Sequence, residues 1–213
     1  MSDSGYGDFE FERRFFVDSP PRELLDEPDP ALVVQSYYLA QDGYALRVRV
    51  QSSTVRIPLD ATHRPLDVLD AHAAAFDFCA LTVKGPMAAG TRYEAERELD
   101  VTVGIEMIRR GGLRIVKNRY SVWLGADGWV IDVFGGENAP LIIAECERAG
   151  PVTDLSIPAF CVTEVTDDRR FSNDGLAQAP YSTWAGTFAA ELAATGPQFL
   201  QGFGRNDLEL PDA

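Results

Sequence analysis

Charged and apolar side chains alternate along residues 8–17, and this pattern predicts a β-strand. Successive side chains of a strand point to opposite faces of the sheet. The two acids and one arginine of the segment would then share one face, with its phenylalanines at or near the other: Glu10, Glu12 and Arg14 against Phe9, Phe11 and Phe15. A solvated face is the simplest interpretation of one such strand. A row of two carboxylates and a guanidinium also suits a divalent cation held beside an anion.

Further strands are predicted along most of the chain. They cover residues 33–39, 44–51, 78–84, 92–99, 113–124, 129–134, 141–147 and 161–166. Helices are predicted over 66–75, 101–110 and about 180–195, and the apolar stripe of the last is expected to pack in the core: Tyr181, Trp184, Phe188 and Leu192. Residues 22–32 are expected to form a short helix or loop, and the acidic tail 202–213 is expected to fray.

The composition is that of an ordinary soluble globular protein, with 213 residues of which 46% are hydrophobic and 24% charged. No repeat or linker divides the chain, so a single domain over 1–213 is expected, with its core over about 8–175. Three scattered cysteines, no apolar run of about 18 residues and no signal-like N-terminus predict a cytoplasmic protein. The net charge of −14 argues against a general nucleic-acid or anionic-membrane surface.

Basic residues are nevertheless concentrated in the predicted strands of this acidic chain. The bases that stand at period two are Arg14, Arg47, Arg49, Lys84, Arg92, Lys117 and Arg119. The acids that do so are Glu10, Glu12, Glu94, Glu96, Asp132, Glu145 and Glu147. Arginine presents a planar fork of donors that suits phosphate, and paired carboxylates are the usual oxygen ligands of Mg²⁺. This set therefore differs from an ordinary solvated strand face.

One fold would explain why these charges recur on one face of the predicted strands. If about eight antiparallel strands close into a barrel with the charged face inward and helices packed outside, the interior is a charged tunnel. Like charges facing one another there would be unfavourable, and a polyanion bound with metal ions would relieve both repulsions. The sequence thus predicts an α+β fold built on a closed antiparallel barrel, with a short polyphosphate chain as the natural ligand.

Seven motifs follow one another along the chain. They are Glu10-Phe11-Glu12-Arg13-Arg14, Arg47 with Arg49, Leu81-Thr82-Val83-Lys84-Gly85 followed by Arg92, Glu94 and Glu96, Lys117-Asn118-Arg119-Tyr120, Trp129 through Asp132 to Phe134, Ala144-Glu145-Cys146-Glu147, and Glu164 to Thr166 with Arg170, Phe171 and Asn173. In this order they resemble the CYTH superfamily, the triphosphate tunnel metalloenzymes. That superfamily includes class IV adenylyl cyclases, thiamine triphosphatase and inorganic triphosphatases.

The resemblance implies a role for each charged residue. One or two Mg²⁺ or Mn²⁺ ions would be held by Glu10, Glu12, Glu145 and Glu147, together with Asp132. The triphosphate would be gripped by Arg14, Arg47, Arg49, Lys84, Arg92, Lys117 and Arg119. Glu94 and Glu96 would hold metal or orient the bases. The residues implied in catalysis are Glu10, Glu12, Arg14 and Lys84, where metal-activated water attacks the terminal phosphorus in line.

Two features depart from the family pattern. The opening motif usually ends in lysine, whereas this chain has Arg14, which cannot act as a base because it does not lose its proton. Residues 52–76 are also longer than compact members need. Their His63, Asp70 and His72 are compatible with a lid over the tunnel, although an ordinary surface insertion is the simpler interpretation.

The predicted function is metal-dependent hydrolysis of a triphosphate, most simply inorganic triphosphate, because no base-recognition motif is evident. Adenylyl cyclase and thiamine triphosphatase are the alternatives within the family, and a non-catalytic polyphosphate or nucleotide sensor is the alternative of another class. Trp184 is the candidate aromatic platform for thiamine, although core packing explains it better. No nucleic-acid or membrane partner is expected, and the protein is expected to be a monomer or homodimer.

Overall fold

A sheet that closes on itself dominates the computed structural model of the chain, which describes residues 9–21, 24 and 30–209. The strands are β1 (Phe9–Val17), β2 (Ala31–Gln41), β3 (Tyr44–Ser52), β4 (Phe78–Lys84), β5 (Thr91–Glu98), β6 (Leu113–Leu124), β7 (Asp127–Phe134), β8 (Ile142–Arg148), β9 (Ser156–Ile157), β10 (Cys161–Glu164) and β11 (Asp207–Leu208). The helices are α1 (Pro65–Ala71), α2 (Val101–Arg110), α3 (Asn173–Gln178) and α4 (Ala185–Thr195).

Strands β1 to β8 form a closed antiparallel barrel. They are hydrogen-bonded in the order β1-β5-β4-β3-β2-β6-β7-β8, and β8 pairs back with β1. The prediction of an α+β fold with a closed barrel of about eight strands is confirmed. Along one edge of β1 the partner changes, because β5 pairs with Phe9–Phe11 whereas β10 pairs with Phe15–Val17. The barrel wall divides between β5 and β10 at that point.

The pairing register places the charged residues on one face. Residues directly opposite each other in an antiparallel pair share a face of the sheet. Such pairs join the charged positions around the barrel: Glu10 with Arg92, Glu12 with Glu147, Arg14 with Glu145, Lys84 with Glu94, and Arg119 with Asp132. These side chains are therefore inside the barrel, as the alternation along each strand predicts.

One end of the barrel has an apolar floor. Inward-facing apolar side chains at that end, Phe16, Tyr37, Ile115, Phe134 and Ile143, pack with residues of the C-terminal helices. Phe171, Phe188 and Trp184 meet there edge to face, and Leu192 packs against the same cluster. The predicted apolar stripe of the last helix is a core element, and Trp184 belongs to that core.

The 52–76 segment covers the outside of the barrel. Its apolar residues, among them Val68, Leu69 and Phe76, join the outer faces of β2, β3 and β6 in one core cluster. Asp70 forms an ion pair with Arg109 of α2. None of the described residues of this segment lines the large cavity of the barrel. The structure therefore contradicts the lid interpretation and supports a packed insertion.

The C-terminal tail is more ordered than expected. Asp207 and Leu208 form β11, which pairs in parallel with β9, so the expectation that the tail frays from residue 202 is wrong as far as residue 209. Most of the predicted 22–32 loop and the last residues of the tail lie outside the described residues. No helix in the described ranges is long and apolar enough to cross a membrane.

Candidate active site

The end of the barrel opposite the apolar floor holds a cavity of about 590 Å³. Its lining is mostly charged: Glu10, Glu12, Arg47, Arg49, Lys84, Arg92, Glu94, Glu96, Arg119, Glu145, Glu147 and Arg148, with Phe9, Phe11, Ala95 and Asn173. Acids and bases come from six different strands, so the cavity exists only in the closed barrel. We call it the upper cavity.

Three carboxylates converge in the upper cavity. Oxygens of Glu10, Glu12 and Glu147 all lie within 4.8 Å of one another. Glu12 is buried, Glu10 is half-buried and Glu147 is exposed at the rim. Carboxylate oxygens are the preferred ligands of Mg²⁺ and related hard cations. The donor set therefore fits a divalent cation, and an open side at Glu147 gives it access.

The three carboxyl groups differ in their affinity for protons. Burial alone would raise the pKa of Glu10, but the nearby charges of Lys84 and Arg92 outweigh it and hold that pKa well below the usual range. Partial burial of the Glu147 carboxyl, together with the charges of Glu145 and Glu10, raises its pKa to about 7. No described base forms an ion pair with Glu147. Glu147 is thus the member of the set whose negative charge most lacks compensation.

Lys84 and Arg92 connect the carboxylate set to the rest of the upper cavity. Lys84 Nζ lies 3.2 Å from Glu10 and 2.6 Å from Glu94, and Arg92 Nε donates to Glu10 over 2.7 Å. Both basic side chains are almost buried. Carboxylates of the upper cavity thus hold both basic side chains in place.

Arg47 and Arg49 form the opposite wall. Both contact Glu96, at 3.3 and 3.1 Å, and Arg47 also donates to the buried hydroxyl of Thr82. Burial and the charge of Arg47 lower the pKa of Arg49. The Nε atoms of both arginines are buried without a hydrogen-bond acceptor. Unsatisfied buried donors are costly in a folded protein, so these two mark bonding capacity that an anion would use.

A second group of charges lies deeper, around Asp132. Lys117 Nζ and Arg119 Nη2 contact the same oxygen of Asp132, at 2.5 and 2.7 Å, and Lys117 also donates to Asn173. Burial and the charge of Arg119 lower the pKa of Lys117 to about 8. Asp132 and Lys117 are both 1% exposed and lie outside the lining of the upper cavity. Asp132 is therefore placed to hold the two bases, rather than grouped with the three carboxylates.

Glu145 and Arg14 lie between the two groups. Arg14 Nη2 donates to Glu12 over 2.5 Å, and its Nε lies 3.3 Å from Glu145. Arg119 reaches Glu145 from the other side, at 3.4 Å. Arg14 is 3% exposed and lines a smaller cavity of about 300 Å³ nearer the floor, the lower cavity, rather than the upper one. The structure thus places Arg14 outside the lining of the upper cavity.

Several polar residues of the interior received no role from sequence reasoning. Thr82 donates to Glu96, Gln35 donates to Tyr37 and Asn173 accepts from Lys117. Thr82 and Asn173 lie within two of the seven motifs, and that position could have indicated a role for them. Gln35 and Tyr37 lie in an apolar strand, and only the closure of the barrel shows that they face inward.

Comparison with known proteins bears on this geometry. No protein-family model matches the sequence. A stretch of 106 residues is 34% identical to the inorganic triphosphatase of Acetivibrio thermocellus, covering 49% of this chain and 68% of that protein. The crystal structure of the inorganic triphosphatase NE1496 aligns with a TM-score of 0.51 and 26% identity, over 80% of this chain and 95% of that one.

A more distant similarity is to the putative adenylyl cyclase HpAC1 from Hippeastrum, whose structure is described as revealing a dominant triphosphatase activity. It aligns with a TM-score of 0.39 and 17% identity, over 66% of this chain and 80% of that one.

Proposed function

Because the chain belongs to the CYTH superfamily and is a triphosphatase, we propose that inorganic triphosphate is its substrate and that Mg²⁺ or Mn²⁺ is its cofactor. The observation that carries the proposal is the meeting of Glu10, Glu12 and Glu147 beside bases in one cavity. Basic side chains are distributed along the upper cavity, and a triphosphate carries anionic oxygens along its whole length. The two charge distributions are therefore complementary.

Four bases would bind the substrate: Arg47, Arg49, Lys84 and Arg92. In the structure each of them contacts a glutamate of the upper cavity, so phosphate oxygens would replace carboxylate oxygens. Such an exchange keeps each buried cation paired, which avoids the large penalty of an isolated buried charge. Arg119 would extend the same set toward Glu145.

Glu10, Glu12 and Glu147 would hold the divalent cation. When bound, the cation supplies charge neutralisation of the triphosphate and lowers the pKa of water for attack on phosphorus. The glutamates of this chain contribute by keeping three oxygen ligands on one side of the cavity, opposite Arg47 and Arg49. Lys117, Asp132 and Asn173 would support Arg119 from below.

Phosphate release from inorganic triphosphate, ATP and thiamine triphosphate, each with Mg²⁺, Mn²⁺ or EDTA, tests this function. We expect EDTA-sensitive release that is fastest from inorganic triphosphate. Faster cleavage of ATP or thiamine triphosphate would replace the proposed substrate, and cyclic AMP formed from ATP would indicate a cyclase. Binding of triphosphate without any release would make the protein a sensor.

Metal binding has a readout that does not depend on turnover. Titration of the protein with Mn²⁺, followed by the loss of the free-ion electron paramagnetic resonance signal, should show a site that Glu147→Gln weakens. Glu98→Gln is the matched control, because Glu98 is an exposed acid of β5 outside the cavity lining. Equal binding by both variants would contradict the assigned ligands.

A further inference from the structure

Thr82 links two side chains of the upper cavity without lining that cavity itself. Its hydroxyl accepts a hydrogen bond from Arg47 Nη2 over 2.8 Å and donates one to Glu96 Oε2, also over 2.8 Å. A guanidinium can only donate and an ionised carboxylate can only accept, so the direction of both bonds is fixed. Thr82 is 0% exposed, whereas Arg47 and Glu96 line the cavity. A residue in this place acts on a bound anion only through its two neighbours.

The sheet holds these three side chains in a row. Thr82 on β4 lies directly opposite Arg47 on β3 and directly opposite Glu96 on β5. Residues opposite each other in an antiparallel pair share a face, and their Cβ atoms are close together. Because threonine is short and β-branched, its hydroxyl has few positions to choose from. Thr82 therefore gives the two longer side chains a fixed point of attachment.

Glu96 is the acid that a phosphate has to replace on this wall of the cavity. It contacts Arg47 at 3.3 Å and Arg49 at 3.1 Å, in addition to its bond with Thr82. In the proposed exchange, phosphate oxygens take over both arginines and Glu96 keeps the hydroxyl of Thr82. Without that hydroxyl, the released carboxylate would compete with the phosphate for the same two arginines.

Thr82 also determines which edge of the Arg47 guanidinium an anion can use. Nη2 makes the contacts with Thr82, Glu96 and Glu94, whereas Nε is buried without a hydrogen bond. Since Thr82 is neutral, its bond to Nη2 does not have to break when an anion arrives. The guanidinium stays anchored at Nη2, and its Nε remains available to a phosphate oxygen.

We propose that Thr82 is a positioning residue for the triphosphate, whose hydroxyl keeps Arg47 and Glu96 in place after a phosphate has replaced their mutual contact. The hydroxyl accepts from Arg47 and donates to Glu96 both before and after binding, so neither bond is lost when the substrate enters. Thr82 does not touch the substrate and takes no part in the chemical step. This inference rests on the proposed function, because it requires Arg47 and Arg49 to bind phosphate.

Steady-state kinetics of Thr82→Val with inorganic triphosphate and Mg²⁺ test the inference. Valine has nearly the shape of threonine but no hydroxyl, so we expect the KM to rise about tenfold through the lost charge-assisted hydrogen bonds. The value of kcat should be unchanged, which is the pattern of lost ground-state binding. Thr82→Ser, which keeps a hydroxyl, should recover most of the affinity.

Thr163→Val is the matched control. Thr163 is also a buried threonine, its hydroxyl also makes two hydrogen bonds, both with the backbone of Gln198, and it does not line the upper cavity. The KM of this control should equal that of the wild type. Thermal denaturation establishes that each variant is folded, and Thr82→Ala takes the place of Thr82→Val if the latter does not fold.

A double-mutant cycle separates the positioning of Arg47 from a general loss of packing. Arg47→Met keeps the apolar part of the side chain but leaves no guanidinium for Thr82 to hold. In that background Thr82→Val should raise the KM by a clearly smaller factor than in the wild type, because residues in contact have coupled effects. An equal factor in both backgrounds would overturn the inference.

The remaining outcomes separate this inference from the proposed function. If the wild type neither cleaves nor binds inorganic triphosphate, the proposed function fails and the inference fails with it. If Arg49→Ala raises the KM while Thr82→Val matches the Thr163→Val control, phosphate binding by the arginines stands and the role of Thr82 is overturned. If Thr82→Val lowers kcat and leaves the KM unchanged, Thr82 acts in the chemical step, which also overturns the inference.

Discussion

Arg13 and Arg14 are neighbours on β1, both are buried, and they point to opposite faces of the barrel wall. Arg13, outside, makes two hydrogen bonds to Glu164 and one to Asn206, and the ring of Phe203 lies 4.9 Å from its guanidinium carbon. Arg14, inside, has an unsatisfied Nε and a single short hydrogen bond to Glu12.

The difference separates a charge that the protein compensates fully from charges that it leaves incompletely paired. Outside the barrel, the protein itself satisfies a buried guanidinium, which fixes the C-terminal segment against β1. Inside, the buried Nε atoms of Arg14, Arg47 and Arg49 make no hydrogen bond, and Glu147 forms no ion pair with a base among the described residues. Incomplete pairing of that kind is unfavourable in isolation, and it is where a ligand gains most from binding.

The largest effect is expected from the inner carboxylates. Glu10→Gln should lower turnover of inorganic triphosphate on the order of 10³-fold, about 4 kcal/mol of transition-state stabilisation, because it removes the charge of a proposed metal ligand. Its melting temperature should fall less than that of Glu164→Gln, because Lys84 keeps Glu94 and Arg92 keeps Glu12 as charged partners. Steady-state kinetics with Mg²⁺ and a thermal melt measure the two quantities, and Glu106→Gln on the outer surface of α2 is the control. Activity near the wild-type value would contradict a role of the inner carboxylates in turnover.

The outer pair should respond in the opposite way. Glu164→Gln leaves Arg13 as an uncompensated buried charge, since both side chains are 0% exposed, and should reduce the free energy of unfolding by about 3 kcal/mol. The activity of the folded fraction at low temperature should be retained. Chemical denaturation measures the loss, with Asp127→Asn at the more exposed Arg148 pair as a control that costs less than about 1 kcal/mol. A normal stability with reduced turnover would assign Arg13 to function instead.

Arg49→Ala tests the comparison between inner and outer charges at a proposed phosphate-binding residue. Loss of a charge-assisted contact of about 1.5–3 kcal/mol should raise the KM for triphosphate roughly 10- to 100-fold. Stability should hold, because burial and Arg47 already disfavour its charge. Arg64→Ala, at an exposed pair with Asp67, is the control for removal of one positive charge. A large fall in melting temperature with unchanged KM would make Arg49 a structural residue.

The smallest effect concerns the stability of the metal-free protein. The pKa of Glu147 is raised to about 7 in the folded state, so between about pH 4.5 and 7 the folded protein binds more protons than the unfolded one. Stability contributed by this group is therefore lost as pH rises through that window.

Glu147→Gln removes the ionisation, so in EDTA its melting temperature should exceed that of the wild type at pH 8 by a few degrees and match it at pH 4. Melts across this pH range, with Glu98→Gln as control, measure the difference. A lower melting temperature of Glu147→Gln at pH 8 would show that Glu147 is compensated.

Most of the inner face could be predicted because strand alternation is a local property. Glu10, Glu12 and Arg14 are separated by one residue each, so their common face follows from the sequence alone. The closed barrel and the apolar stripe around Phe188 followed in the same way, from repeated alternation and from helical spacing. The resemblance to the CYTH superfamily implied a role for each charged residue, but it gave no distances between side chains.

The features that were missed depend on contacts between distant parts of the chain. The partners of Arg13, Glu164 and Asn206, lie 151 and 193 residues away, and β11 forms only because its backbone reaches β9. The separation of Asp132 from the carboxylates around Glu147 is set by how deep each strand position lies in the barrel. The periodicity of the sequence carries no information about that depth.

Because β1 closes the barrel by pairing with strands from late in the chain, its pairing is completed only near the end of synthesis at the ribosome. The first strand emerges more than a hundred residues ahead of β8 and β10, which complete its pairing. At about 5–20 residues per second, β1 waits roughly 6–25 s with an edge and a charged face unsatisfied. The four charged residues of β1, Glu10, Glu12, Arg13 and Arg14, keep the unpaired strand hydrated and discourage its association with other nascent chains.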